Sequence, residues 1–232
     1  MSGLTEDQVN ERATGRLFGL SDGVFAIAMT LLALDLTVPD PGTYDTDRAL
    51  RHALVLEGPN FLAFLLSFFV IASYWQRHNA VMRTVHSTHP ALLRRTLPLL
   101  LMVCALPFAA GLLGTYGTRF GIAIVVYAGV NFLAVGSLLM IRYEARHHRL
   151  TPGEGSAPDN LELWFDLAAL VVAAPSGYLF HSHGPVALAV ILVASNTAGS
   201  YATRRRSRSA TLGSIAASAA SASEDQTPSA DH

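Results

Sequence analysis

The chain has 232 residues, of which 51% are hydrophobic and 14% charged, and its formal net charge at pH 7 is −1. A typical soluble domain has about 25% charged residues, so this composition indicates a membrane protein. The near-neutral charge, with no basic block on a folded face, argues against nucleic acid as a partner. The single cysteine, Cys104, excludes a disulfide within one chain, and we expect it to be a small core residue.

Six apolar segments are long enough to cross a bilayer, which takes about 20 mostly apolar residues in a helix. They cover residues 17–38, 54–75, 96–114, 120–141, 161–180 and 185–203. Short connections with glycine follow the third and fifth segments and predict tight helical hairpins. The sequence thus predicts an all-α polytopic membrane protein with six transmembrane helices.

The segments define a predicted membrane domain, residues 1–203, and a tail, residues 204–232. The tail starts with a run of arginines and continues as a Ser/Ala-rich sequence. Such a sequence has too little apolar area to order itself, so we predict a disordered cytoplasmic tail.

The arginines predict the orientation of the six segments. All sixteen basic residues are arginine, and all but Arg48, Arg51 and Arg119 fall on one side of the predicted spans. Arginine-rich loops face the cytoplasm, so both termini are predicted to be cytoplasmic. The frequent alanine and the lack of lysine suggest a bacterial source, and hence the bacterial plasma membrane.

Topology places several polar residues at one depth near the cytoplasmic ends of the first two helices. They are Ser21, Asp22, Trp75, His78 and Asn79. A carboxylate within the membrane costs about 2.5–3.5 kcal/mol unless it is paired. Arg16 lies six positions before Asp22, on a different side of the helix, so we expect Asp22 to bond to a neighbouring helix. Such a contact serves either helix packing alone or the anchoring of a functional helix.

One narrow stripe of the first helix contains Gly23, Ile27, Thr30 and Leu34. This spacing suits a pore lining, but it also suits an ordinary contact between two helices. From periodicity alone, packing is the better interpretation. Further along, Asp35 and the acidic residues of the next loop either attract cations to the outer mouth or form an ordinary solvated loop.

The first two segments resemble those of the transmembrane protein 175 family, which contains endosomal and lysosomal potassium channels and their prokaryotic homologues. The segment RLFGLSD, residues 16–22, is similar to its R-x-x-x-F-S-D signature, with Leu20 in place of the usual Phe. The segment SFFVIASYWQRHN, residues 67–79, is similar to its Ser-Phe…Trp-x-x-His pattern. Residues 105–114 and 125–131 also resemble its third and fourth helices.

The resemblance implies a homotetramer in which four copies of the first helix line a central pore. It places an apolar constriction at Ile27, a threonine ring for selectivity at Thr30 and the next pore-facing turn at Leu34. It makes Arg16, Ser21 and Asp22 the motif that anchors this helix. With it, pore lining becomes the better interpretation of the stripe.

The function predicted from the resemblance is a potassium channel of modest selectivity in the lipid bilayer. A ring of hydroxyls is a weaker and less rigid ligand set than the carbonyl cage of a TVGYG filter, and that filter sequence is missing here. A proton-permeable channel of the same topology and a secondary transporter remain alternatives. The transporter is less favoured, because Pro98, Pro107 and Pro175 do not interrupt helices at matching positions of two halves.

A membrane enzyme is disfavoured by the positions of the histidines. Those at residues 86–89 and 147–148 fall on the predicted cytoplasmic side, whereas those at 181–183 fall outside, so they cannot converge. None forms the H-E-x-x-H pattern of a zinc protease. We therefore predict no catalytic residue, no cofactor and no metal besides the permeant potassium.

Overall fold

The computed structural model describes residues 6–38, 45–83, 90–147 and 160–179. These residues form helices, and the described connections between them are Glu57 and residues 117–120. The helices are α1 (Glu6–Leu31), α2 (Asp47–Leu56), α3 (Gly58–Met82), α4 (Pro90–Tyr116), α5 (Gly121–His147) and α6 (Leu161–Leu179). The prediction of an all-α membrane fold is confirmed for this part of the chain.

Helix α1 begins at Glu6, eleven residues before the predicted apolar segment. Hydropathy marks only the part of a helix that lies in the membrane, and the helix itself extends into the polar sequence before it. It ends in one 3₁₀ turn, Leu32–Asp35. One side of the helix is buried against α3 and α4, and its residues recur at intervals of three and four, which is the spacing of a single helix face. These residues are Ser21, Phe25, Ala28 and Leu32.

The second predicted segment is divided between two helices. The short α2 is capped by Thr46, whose Oγ1 accepts a hydrogen bond of 3.3 Å from the backbone N–H of Ala49. Pro59 lies in the first turn of α3, where the missing N–H of a proline costs nothing. Helix α3 therefore begins four residues later than predicted, and it continues to Met82 instead of ending at residue 75.

Helices α4 and α5 form the predicted hairpin, and most of the core lies along it. The two helices are joined by residues 117–120, and the backbone N–H groups of Gly117 and Phe120 bond to carbonyls in the last turns of α4. Both helices contribute fully buried side chains to the core. They include Leu99, Leu106, Leu113, Ile124, Tyr127, Leu138 and Ile141.

Four helices in the described residues are long and apolar enough to cross a membrane. These stretches are Phe18–Asp35, Gly58–Met82, Arg94–Tyr116 and Gly121–His147. Helix α6 coincides with the fifth predicted segment and packs against α5, but it is not one of the four. The sixth predicted segment, residues 185–203, and the predicted tail lie outside the described residues.

The prediction that Cys104 lies in the core is wrong. The residue is exposed on α4, because it occupies the face of that helix turned away from the bundle. A thiol is small and weakly polar, so it is tolerated on such a surface as readily as in a core.

Helix α4 approaches α3 closely at Gly114, and we expect Gly114→Ala to destabilise the fold by about 1–3 kcal/mol because it overpacks this contact. A Cβ at this position would stand 2.9 Å from Cα of Asn60, which is backbone and cannot move aside. The matched control is Gly129→Ala, since a Cβ there meets nothing within 4 Å. We expect that control to be neutral or to stabilise by about 0.5–1 kcal/mol. Thermal melting of the detergent-solubilised variants checks both, and equal melting temperatures would contradict the prediction.

Candidate functional site

The stripe on α1 lies on the side opposite the buried face. Ile27 is 60% exposed and Leu34 is 76% exposed, and Thr30 between them is exposed as well. Gly23, at the N-terminal end of the stripe, is half-buried. The single chain thus leaves this row of side chains uncovered, available to lipid or to other copies of α1.

The hydroxyl proton of Thr30 is hydrogen-bonded within α1. Its Oγ1 donates a hydrogen bond of 2.8 Å to the backbone carbonyl of Ile27, one turn earlier. This bond holds the side chain in one rotamer and leaves only the oxygen lone pairs for other partners. Thr30 therefore presents an acceptor, which is the group that a cation binds.

A side-chain hydrogen bond connects α1 to α3 near the start of the membrane-spanning stretch of α1. The indole N–H of Trp75 donates to Oδ1 of Asp22 over 2.8 Å. A hydrogen bond from an N–H group to a carboxylate is in general stronger than one between neutral groups. The structure therefore gives the motif carboxylate a partner on a neighbouring helix, and that partner is the tryptophan.

The other polar residues predicted around Asp22 do not join this bond. Within the described residues, Ser21 Oγ and both ring nitrogens of His78 are buried without a hydrogen-bond partner. The His78 ring packs against Phe25, with ring centroids 5.9 Å apart. Arg16 is exposed and does not pair with Asp22, and Asn79 is half-buried.

A buried ion pair joins α3 to α6 at the same level of the bundle. Nη1 of Arg77 bonds to Oδ2 of Asp166, and both residues are buried. In the sequence, the signal for this pair is the one arginine of α3 and the two acidic residues of α6, Glu162 and Asp166, since a lone charge in an apolar helix is costly.

A second polar network connects the middle of α3 with α5. Ser67 Oγ and the hydroxyl of Tyr127 share a hydrogen bond of 3.1 Å, and the hydroxyl of Tyr74 donates to Oδ1 of Asn131 over 2.9 Å. Nδ2 of Asn131 donates to the backbone carbonyl of Tyr127 over 2.8 Å. All four side chains are buried. They belong to the two motif segments 67–79 and 125–131, so those motifs contain the bonds that hold α3 against α5.

The described residues offer no ready site for a bound metal. Among them, no group of three or more His, Cys, Asp or Glu side chains is placed to hold an ion.

Long apolar helices joined by buried polar bonds define a polytopic α-helical membrane protein. The sequence profile described as endosomal/lysosomal potassium channel TMEM175 matches residues 16–107. The chain is also similar to the crystal structure of a lysosomal potassium-selective channel TMEM175 homologue from Chamaesiphon minutus. That similarity has a TM-score of 0.67 at 26% identity and covers 81% of this chain and 98% of the other.

The chain is also similar in sequence to two curated proteins. A potassium channel of Streptomyces collinus is 40% identical over 103 residues, which are 44% of this chain and 48% of that protein. The endosomal/lysosomal proton channel TMEM175 of Danio rerio is 41% identical over 71 residues, 28% of this chain and 14% of that protein. The chain thus spans about half the length of the bacterial relative and a smaller share of the Danio rerio protein. The predicted resemblance is confirmed: residues 16–107 match the TMEM175 family model, and the chain is similar to channels of that family.

Proposed function

We propose that this chain forms a potassium-permeable channel in the bacterial plasma membrane, with both termini in the cytoplasm. Four copies assemble around a shared axis, and the stripe of α1 lines the pore. The observation that carries the proposal is the uncovered row of Ile27, Thr30 and Leu34 on the side of α1 opposite its buried face. The bacterial relatives and the structural neighbour, which are named as potassium channels, support it.

In this proposal Ile27 forms the constriction. Four isoleucine side chains around an axis make a narrow apolar ring, and such a ring blocks ions by excluding water. A small outward movement of the four helices rehydrates the ring and lets a partly hydrated cation through. The gate thus requires no charged group on the axis.

Thr30 supplies the selectivity in this account. Because its proton is donated to the Ile27 carbonyl, each of the four hydroxyl oxygens faces the axis as an acceptor. Such oxygens replace part of the water shell of a cation. Side-chain hydroxyls are weaker dipoles than backbone carbonyls and are less rigidly held, so we expect a modest preference for potassium over sodium.

The hydrogen bond between Trp75 and Asp22 anchors the inner end of the pore helix. Buried faces of α3 and α4 hold the same helix from behind, through Phe25 and Ala28. A pore helix fixed at its base and packed along one side keeps the register of Ile27 and Thr30 relative to the other copies. Arg16 and Ser21 belong to the same motif, and we assign them to this anchoring.

The Thr30→Val variant tests the assignment of selectivity. Valine keeps the shape of threonine but removes the oxygen, so we expect the potassium-to-sodium permeability ratio to fall toward one. The ratio is measured from reversal potentials in planar bilayers under bi-ionic conditions. Thr37→Val is the matched control, because Thr37 is exposed beyond the last turn of α1. An unchanged ratio in Thr30→Val would refute the threonine ring.

Proton permeation is the second candidate function. It is favoured by the name of the Danio rerio relative, which is called a proton channel. The ring nitrogens of the buried His78 have no hydrogen-bond partner among the described residues, and the ring packs against Phe25 of α1. A pH-sensitive dye inside potassium-free liposomes distinguishes the two functions, since only a proton-permeable channel acidifies the lumen under an imposed proton gradient.

A further inference from the structure

A cavity of about 360 Å³ lies at the end of the bundle opposite the Asp22–Trp75 bond. It is a half-open cavity lined by the 3₁₀ turn that ends α1, the first two turns of α3 and the last turns of α4. The polar and aromatic residues that line it are Asp35, Asn60, Phe64, Phe108, Thr115 and Tyr116. Its volume lies within the range of about 300–1,000 Å³ typical of small-molecule sites.

The carboxylate of Asp35 belongs to this cavity. Its Oδ2 stands 3.0 Å from the position that a Cβ would occupy at Gly111 on α4, so the missing side chain of this glycine makes room for it. The neighbouring Leu34 lies on the exposed stripe of α1. The carboxylate of Asp35 is thus turned toward α4. This contact accounts for its position without assigning it to an acidic pore mouth.

The other polar groups of the cavity are also acceptors or hydroxyls. Nδ2 of Asn60 donates to Oε2 of Glu57 over 2.7 Å, which leaves its carbonyl oxygen on the side of α4. Thr115 and Tyr116 add hydroxyl groups. No arginine, lysine or histidine is among the described residues that line the cavity. This lining favours a positively charged occupant.

The aromatic side chains decide which kind of cation fits. Phe64, Phe108 and Tyr116 line the same space, and ring faces attract a cation whose centre lies within about 6 Å. A bare divalent metal needs about six to eight oxygen ligands, and a single carboxylate with a few neutral oxygens is a poor match. An ammonium ion with an apolar body uses both the carboxylate and the rings.

We propose that this cavity binds a small organic ammonium ion, with its charged head between Asp35 and the aromatic rings. The alkyl groups then contact the apolar lining, which includes Leu32. The site goes beyond the proposed channel function and does not depend on it. It requires only the side chains at the outer ends of α1, α3 and α4.

Choline is the probe, and its uncharged carbon analogue 3,3-dimethylbutan-1-ol is the matched ligand control. Isothermal titration to the full-length, detergent-solubilised protein measures both without any ion flux. We expect saturable binding of choline and about tenfold weaker binding of the alcohol, because the alcohol lacks the charge that the carboxylate and the rings attract. No binding of choline, or equal binding of the two molecules, would overturn the proposal.

Two variants connect the binding to this cavity. Asp35→Asn removes the charge, and we expect it to weaken choline binding about tenfold. Gly111→Ala places a methyl group against the Asp35 carboxylate and should weaken binding in the same direction. The controls are Asp47→Asn, on the exposed start of α2, and Gly129→Ala, where a Cβ has open space. If a control variant loses binding as strongly as its partner variant, the assigned site is wrong.

Because titration reports binding alone, this test is separate from the test of the channel. Choline binding with no potassium flux would refute the channel and keep the site. Potassium flux with no choline binding would refute the site and keep the channel.

Discussion

The Ile27→Ala variant is expected to raise the resting potassium flux several-fold. Alanine removes three carbon atoms from each side chain in the proposed ring, which widens the constriction and lowers the cost of wetting it. Because Ile27 is 60% exposed in the single chain, the substitution leaves no cavity in its core. Flux is measured with a potassium-sensitive dye in liposomes of fixed protein content.

Two further variants make this result specific. Ile27→Asn keeps four side-chain heavy atoms but makes the ring polar. A dewetting gate therefore predicts a larger rise in flux for Ile27→Asn than for Ile27→Ala, whereas a purely steric gate predicts a smaller one. Ile122→Ala is the matched control, since Ile122 is 61% exposed on α5, away from α1. If Ile27→Ala and Ile122→Ala give the same flux as the unmodified chain, Ile27 is not the constriction.

The Arg77→Ala variant is expected to be the most damaging single change to stability. It leaves the buried carboxylate of Asp166 without its cation on α3. Removing one partner of a buried ion pair costs about 3–5 kcal/mol. The melting temperature of the detergent-solubilised protein should fall sharply, and the contact between α3 and α6 should loosen first.

The double variant Arg77→Met/Asp166→Leu separates the pair from the packing around it. Replacing both charges with apolar side chains removes the unpaired charge, so we expect it to recover much of the lost stability. Arg95→Ala is the control for losing an arginine. Its Nε lies 3.6 Å from Oε2 of Glu144 and its side chain is 49% exposed, so the expected cost is about 0–1 kcal/mol. A double variant as unstable as Arg77→Ala would contradict the role given to the pair.

The helices themselves could be predicted because the bilayer demands long apolar segments. Five of the six predicted windows coincide with observed helices, and the hairpin between α4 and α5 forms where its glycines predicted it. The boundaries were less predictable. Hydropathy follows the membrane, whereas α1 and α3 continue into polar sequence for as long as their backbones can stay helical. Pro59 is the local signal that fixes the start of α3.

Pairings between distant residues were harder to predict. The need of Asp22 for a partner followed from the cost of an unpaired carboxylate, and the candidates included Trp75. The choice of Trp75 over His78 depends on the rotation of α3 about its axis, which no single motif fixes. The pair Arg77–Asp166 joins residues far apart in sequence, and a single sequence carries no signal for their pairing beyond the two charges.

For the proposed pore stripe, periodicity predicts which side chains share one face of α1 but not what that face contacts. Spacing placed Ile27, Thr30 and Leu34 on one side of α1, and the structure shows that this side is uncovered in the single chain. An uncovered face is compatible with lipid and with a shared axis. The assembly of several chains decides between the two, so that question requires a measurement on the assembled protein.

Cysteine modification at Leu34 during current recording makes that measurement. In a Cys104→Ser background, Leu34→Cys protein in a planar bilayer is treated with a charged methanethiosulfonate reagent, which reacts only with thiols that reach water. Ile122→Cys, similarly exposed near the same end of the bundle, is the control. The proposed pore predicts fast modification and a large drop in potassium current for Leu34→Cys alone. An unchanged current, with a thiol at residue 34 that resists the reagent, would place the stripe in lipid and contradict the channel described here.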